Sequence, residues 1–104
     1  MVIPRQGEFW WAEADGLRRP VLVVTRNEAI PVLRRIVVAP VTRTIRGIPT
    51  EVRLGPEHGL EDECVASFDN LQPIDRARLT DRAGALGHGE RDVVCRALEA
   101  MSDC

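Results

Sequence analysis

Lysine is absent from this chain, and all fourteen basic residues are arginine. Any anion held by a side-chain cation therefore meets a planar guanidinium that can present two parallel N–H donors. Cysteine is scarce: Cys64, Cys95 and Cys104 show no Cys-x-x-Cys spacing and leave an odd one over. With only His58 and His88 far apart as further candidates, they form no zinc-ligand pattern. Reduced, structural thiols are expected, with no metal and no cofactor. Long apolar runs are missing too, none approaching the ~18 residues of a membrane span. Residues 1–7 are polar and too short for a signal peptide. These absences predict a cytoplasmic protein without a membrane partner.

What remains is 104 residues with 44% hydrophobic content, enough for one domain over residues 1–104. A chain of that size buries roughly two-thirds of its unfolded surface. The net charge of −2 is unevenly spread: residues 18–53 carry eight arginines against Glu28 and Glu51, whereas residues 54–104 carry five against eleven acids. A nucleic-acid binder is often basic throughout, and this chain is basic only in its middle third. Such a segment concentrates field strength on one anion-binding face.

Short, β-rich segments dominate. Strands are predicted over residues 7–13, 20–25, 35–42, 48–54 and 63–68, with 71–74 extending the sheet and 82–86 adding a last short strand. Asp15-Gly16 and Arg46-Gly47 supply turns, residues 55–62 a polar loop, and residues 75–80 a short helical turn. Pro40 marks an edge or bulge in the third strand. Near the end, Val93, Val94, Ala97, Leu98 and Met101 make one apolar helical stripe, with Arg91, Arg96 and Glu99 outside it. The fold class is mostly β with a C-terminal helix, a small and strongly bent antiparallel sheet.

Three segments carry the chemistry: Arg18-Arg19-Pro20-Val21-Leu22-Val23-Val24, then Val37-Val38-Ala39-Pro40-Val41-Thr42, then Ile48-Pro49-Thr50-Glu51-Val52. The first two are apolar strands with a polar group at one end, a guanidinium entering the first and a hydroxyl leaving the second. Side by side they suit a phosphodiester. In order and spacing, together with Gly7-Glu8-Phe9-Trp10, Ile74-Asp75 and Arg78-Leu79, they resemble the MazF/PemK (Kid-type) toxins of type II toxin–antitoxin systems.

The resemblance implies an SH3-like barrel and a sequence-specific, metal-independent endoribonuclease (mRNA interferase). It implies cleavage of single-stranded RNA to a 2′,3′-cyclic phosphate and a 5′-hydroxyl, inhibiting translation and growth. It also implies a homodimer, and a cognate antitoxin whose acidic, flexible segment competes for the RNA groove. Arg19, directly before Pro20, and Thr42 stand at the family's catalytic positions. A guanidinium stays protonated and is a poor general base, so Arg19 is assigned the developing phosphorane charge. Arg18 faces the opposite way on an extended strand, and which of the two points into the site is left open.

Arg18, Arg43, Arg46 and Arg53 are candidate RNA-backbone contacts. Trp11 is the candidate stacking residue, since one of Trp10 and Trp11 faces inward. Asn70 sits where the family carries an amide near its RNA groove. The first loop is shorter than in many family members, which bears on substrate preference. The alternative is a CcdB-like gyrase-inhibiting toxin, which shares this barrel but carries a Trp-Gly-Ile type tail where this chain reads Met101-Ser102-Asp103-Cys104.

Overall fold

The computed structural model describes residues 3–90 and 92–102; the expectations placed on Arg91, Asp103 and Cys104 fall outside them. Seven strands form one sheet: β1 (Glu8–Ala14), β2 (Leu17–Val23), β3 (Arg35–Thr42), β4 (Glu51–Leu54), β5 (Cys64–Ser67), β6 (Gln72–Asp75) and β7 (Leu79–Ala85). The helix α1 (Asp92–Met101) follows. Strand order is β4-β5-β3-β2-β1-β7, with β6 also pairing on β3, and the pairings are antiparallel. This is a mostly β half-barrel with a C-terminal helix. Among the described residues, no helix is long and apolar enough to cross a membrane.

The β1–β2 hairpin is closed by a two-residue turn, Asp15 and Gly16, both at positive φ (53° and 76°). That turn matches the right-handed twist of the flanking strands, and it is why the first loop is so short. β3 is the hub. One of its edges pairs with β2 up to Val21↔Pro40; along the strand it pairs with β6 at Arg35–Val38 and with β5 at Val41 and Thr42. Pro40, lacking an N–H, falls in the gap where β3 changes partners from β6 to β5.

Several strand ends shift by one residue from the sequence expectation, and three elements depart by more. β2 runs from Leu17 and stops at Val23, because the Val24 and Thr25 N–H groups both donate to the Val37 carbonyl and break the ladder. β4 begins at Glu51, not at residue 48: Glu51 Oε1 accepts the Arg46 and Gly47 N–H groups, and its own N–H donates to the Ile48 carbonyl, folding residues 46–50 into a loop. The helical turn shrinks to a 3₁₀ turn at Arg76–Arg78, so that β7 starts at Leu79, three residues ahead of the strand expected at 82.

Both faces of the central strands are covered. Phe9, Leu22 and Ala39 join Phe68 and the α1 residues Val94 and Ala97 in one cluster, while Trp10, Val21 and Val38 join Ile30 and Ile36 in another. Val94 is 2% exposed, and its burial contributes about 1.5–3 kcal/mol. Met101 stays 41% exposed, so the buried stripe ends a turn earlier than its periodicity suggested.

The loop between β4 and β5 is strapped to the body by polar contacts. His58 is buried; its Nδ1 accepts the Gly55 N–H, and its Nε2 donates to Glu90 at 2.9 Å. Gly84 of β7 lies directly beneath, where a Cβ would overlap the His58 carbonyl oxygen. The loop crosses the strand backbone to backbone.

Candidate functional site

Where the β2–β3 ladder ends at Val21↔Pro40, β3 continues with β5 as its partner. A wedge opens between Pro20 on one side and Val41 and Thr42 on the other. It forms a cavity of about 280 Å³, closed by the Gly59–Asp62 stretch of the strapped loop and by Cys64. Trp11, Arg18 and Arg43 complete its lining. The cavity thus gathers Arg18, Thr42, Arg43 and Trp11 from the candidate residues.

Alternation along β1 and β2 sorts the rest. The pairs Glu13↔Arg18 and Trp11↔Pro20 share one face; Ala12↔Arg19 and Trp10↔Val21 share the other. Trp10 is buried, with its indole N–H donating to Glu8 at 3.0 Å, and Trp11 is the half-buried, cavity-lining partner. Arg18 lies over the Trp11 ring, its Cζ 4.8 Å from the centroid. Its charge is already met by Asp81 at 2.6 Å, with Glu13 at 4.0 Å.

Arg19 is exposed and does not line the cavity. Among the described residues its side chain makes no hydrogen bond or ion pair. Arg19 precedes the last β2–β3 pair, Val21↔Pro40, by two residues and Thr42 follows it by two, on strands that part there. The Thr42 hydroxyl oxygen accepts the Thr44 N–H at 3.2 Å, which leaves its proton free to donate outward.

The remaining candidates, Arg43 apart, lie outside the cavity. Arg43 is paired with Asp62 at 3.0 Å, and Arg53 with Glu63 at 3.6 Å. Arg53 lines a separate groove between β4 and α1, with Val93 and Arg96. Arg46 is exposed on the loop ahead of β4, and Asn70 donates to the Ser67 hydroxyl at the end of β5. Sequence reasoning missed the carboxylates Asp62 and Asp81, which neutralise Arg43 and Arg18. It also missed Cys64 as a wall residue, whose thiol is pushed up from its ordinary value by burial and then by Asp62.

The architecture is a mostly β half-barrel with a C-terminal helix, opened beside its central strand where Arg18 and Thr42 line the opening. The family model described as "PemK-like, MazF-like toxin of type II toxin-antitoxin system" matches residues 5–102. The chain belongs to this family.

Among its relatives, the Mycobacterium tuberculosis protein named "Probable endoribonuclease MazF5" is 41% identical, covering 98% of this chain and 95% of its own length. The solved structure of "Mycobacterium tuberculosis toxin MazF-mt6" superposes with a TM-score of 0.82 at 35% identity, covering 90% of this chain and 95% of that one. A mycobacterial structure titled "Endoribonuclease in complex with its cognate antitoxin" gives a TM-score of 0.83 at 25% identity, covering 97% of both chains.

Proposed function

We propose that this chain is the toxin of a type II toxin–antitoxin pair, and that it cuts single-stranded RNA in a sequence-specific way without a metal ion. The observation that carries the reading is Arg19, a guanidinium unpaired among the described residues and two residues from the point where β2 parts from the Thr42-bearing β3, whereas Arg18, Arg43 and Arg53 already hold carboxylates. In the cleavage step the RNA's own 2′-oxygen bonds to phosphorus as the bond to the 5′-oxygen breaks. The 2′-hydroxyl gives its proton to water, water returns one to the leaving 5′-oxygen, and a 2′,3′-cyclic phosphate and a 5′-hydroxyl result. Arg19 donates N–H bonds to the non-bridging oxygens as their charge grows. Thr42 donates its hydroxyl proton to the same phosphate and holds it in line.

The family names of the relatives support the reaction class, and the complex of the mycobacterial relative with its antitoxin supports a protein partner of the same kind. That partner would carry an acidic, flexible segment competing with RNA for the arginine-bearing face. We further infer that the active form is a homodimer in the cytoplasm.

Primer-extension mapping on a long RNA in the presence of EDTA tests the proposal. Discrete cuts bearing 5′-hydroxyl ends, lost on Thr42→Val, are the expected result. Intact RNA together with inhibition of purified gyrase in a supercoiling assay would replace the ribonuclease with the gyrase-poison alternative.

A further inference from the structure

We propose that the cavity beside Thr42 is a subsite for one unpaired guanine of the RNA; this rests on the ribonuclease reading and narrows it to a base preference. At about 280 Å³ the cavity falls just below the range of about 300–1,000 Å³ that holds drug-sized ligands. A single ring system fits that scale. Its side walls are apolar, from Pro20, Val41 and Leu60, and one wall is the Arg18–Trp11 stack. Indole and guanidinium planes are the surfaces on which proteins stack splayed bases. Asp81, at 2.6 Å from Arg18, anchors that guanidinium on the ring and makes it a platform instead of a free cation.

The polar lining decides which base. Glu61 and Asp62 line the cavity, and Arg43 braces Asp62 at 3.0 Å. The two arginines of the lining are already paired, Arg18 with Asp81 and Arg43 with Asp62, so the cavity offers a phosphate no unpaired cation and what enters is a base. A carboxylate is an acceptor with two oxygens. Guanine presents two N–H donors side by side, at N1 and at the exocyclic N2, which a carboxylate can take together. Adenine and cytosine place a ring acceptor next to their amino group, and uracil flanks its one N–H with two carbonyls. Guanine is therefore the complementary base. Thr42 borders the same cavity, so the guanine's own backbone lies at the scissile position.

The test is an NMR titration of the parent protein with 5′-GMP, 5′-IMP, 5′-AMP, 5′-CMP and 5′-UMP, following the Trp11 indole N–H with Trp10 as an internal control. GMP should bind about tenfold more tightly than UMP, the discrimination typical of one bidentate base contact. IMP, which lacks the N2 amino group, should lose several-fold of that. Asp62→Asn should lower GMP affinity about tenfold and leave UMP unchanged. Equal binding of all five nucleotides, no binding, or a guanine preference untouched by Asp62→Asn and Glu61→Gln overturns the subsite. The inosine contrast uses only the parent protein, so the test survives a variant that misfolds. A protein that cuts RNA in EDTA yet binds the five alike keeps the nuclease and loses the subsite. One that prefers GMP but cuts no RNA keeps the subsite and loses the nuclease.

Discussion

Arg18 and Arg19 are adjacent on β2, identical in type and both exposed, and their surroundings are opposite. Arg18 is stacked on Trp11 and held by Asp81 and Glu13. Arg19, one residue on and across the sheet, has neither ion pair nor hydrogen bond among the described residues. The difference separates two jobs a guanidinium can do. A paired, stacked one is a flat structural surface with little charge to spare. An unpaired one keeps its donors for a charge that develops during reaction, where preorganised donors are worth most.

The largest test of that contrast removes each arginine in turn. Arg19→Ala should lower the rate of RNA cleavage about 10²–10³-fold, as loss of a donor to a developing anion does, with the thermal melt unchanged. Arg18→Ala should cost about tenfold or less, and chiefly in KM. Equal losses for the two, measured with the same oligoribonucleotide, would erase the distinction between them.

Next in size is the seat of the loop that walls the cavity. Gly84→Ala inserts a Cβ against the His58 carbonyl, where backbone has to move. It should destabilise the protein by about 1–3 kcal/mol, as overpacking does, and weaken binding at the cavity with it. A melt unchanged from the parent would mean that the crossing of the His58–Gly59 backbone over β7 is looser than described.

A smaller effect is expected from the counter-ion. Asp81→Asn removes the charge facing Arg18 while leaving a side chain of the same size. Freed for phosphate, Arg18 should steepen the salt dependence of single-stranded RNA binding by about 0.7 in log–log slope, the value of one added contact. An unchanged slope would place Arg18 away from the RNA backbone in the bound state.

Much of the contrast was legible before the fold was known. Period-two alternation alone puts Arg18 and Arg19, and Trp10 and Trp11, on opposite faces, and Asp15-Gly16 announces the hairpin that aligns them. The three-residue offset at the start of β7 hid Asp81, because an arginine-rich stretch ahead of it reads equally as a helical turn. No local pattern reveals a partner 63 residues away, as Asp81 is from Arg18. Likewise, His58 sits in a polar, glycine-bearing loop that carries no local signal of burial. Its polar partner is Glu90, 32 residues later, in the 3₁₀ turn just ahead of α1. Local periodicity encodes which face a side chain takes; long-range register decides which charges are neutralised there.

The same reasoning yields the smallest and most specific effect, at the strap behind the cavity. Hydrogen bonds from His58 and from the Gly87 N–H hold the Glu90 carboxyl below its ordinary value of 4.5. The folded chain therefore resists protonation at Glu90 more than the unfolded chain does. The stabilisation is fully present above about pH 4.5 and is lost as the pH falls through the lower folded value. Because the Glu90 side chain is 45% exposed, solvent screening limits it to about 1 kcal/mol or less. The parent should melt a few degrees above Glu90→Gln near neutrality, with the two curves converging as the pH drops below about 4.5. RNA cleavage near neutrality should be unaffected, since the amide oxygen of the substituted side chain still accepts the His58 proton and leaves the loop in place. A gap between the melting curves that widens on acidification would show that the carboxylate's charge is not what the imidazole responds to.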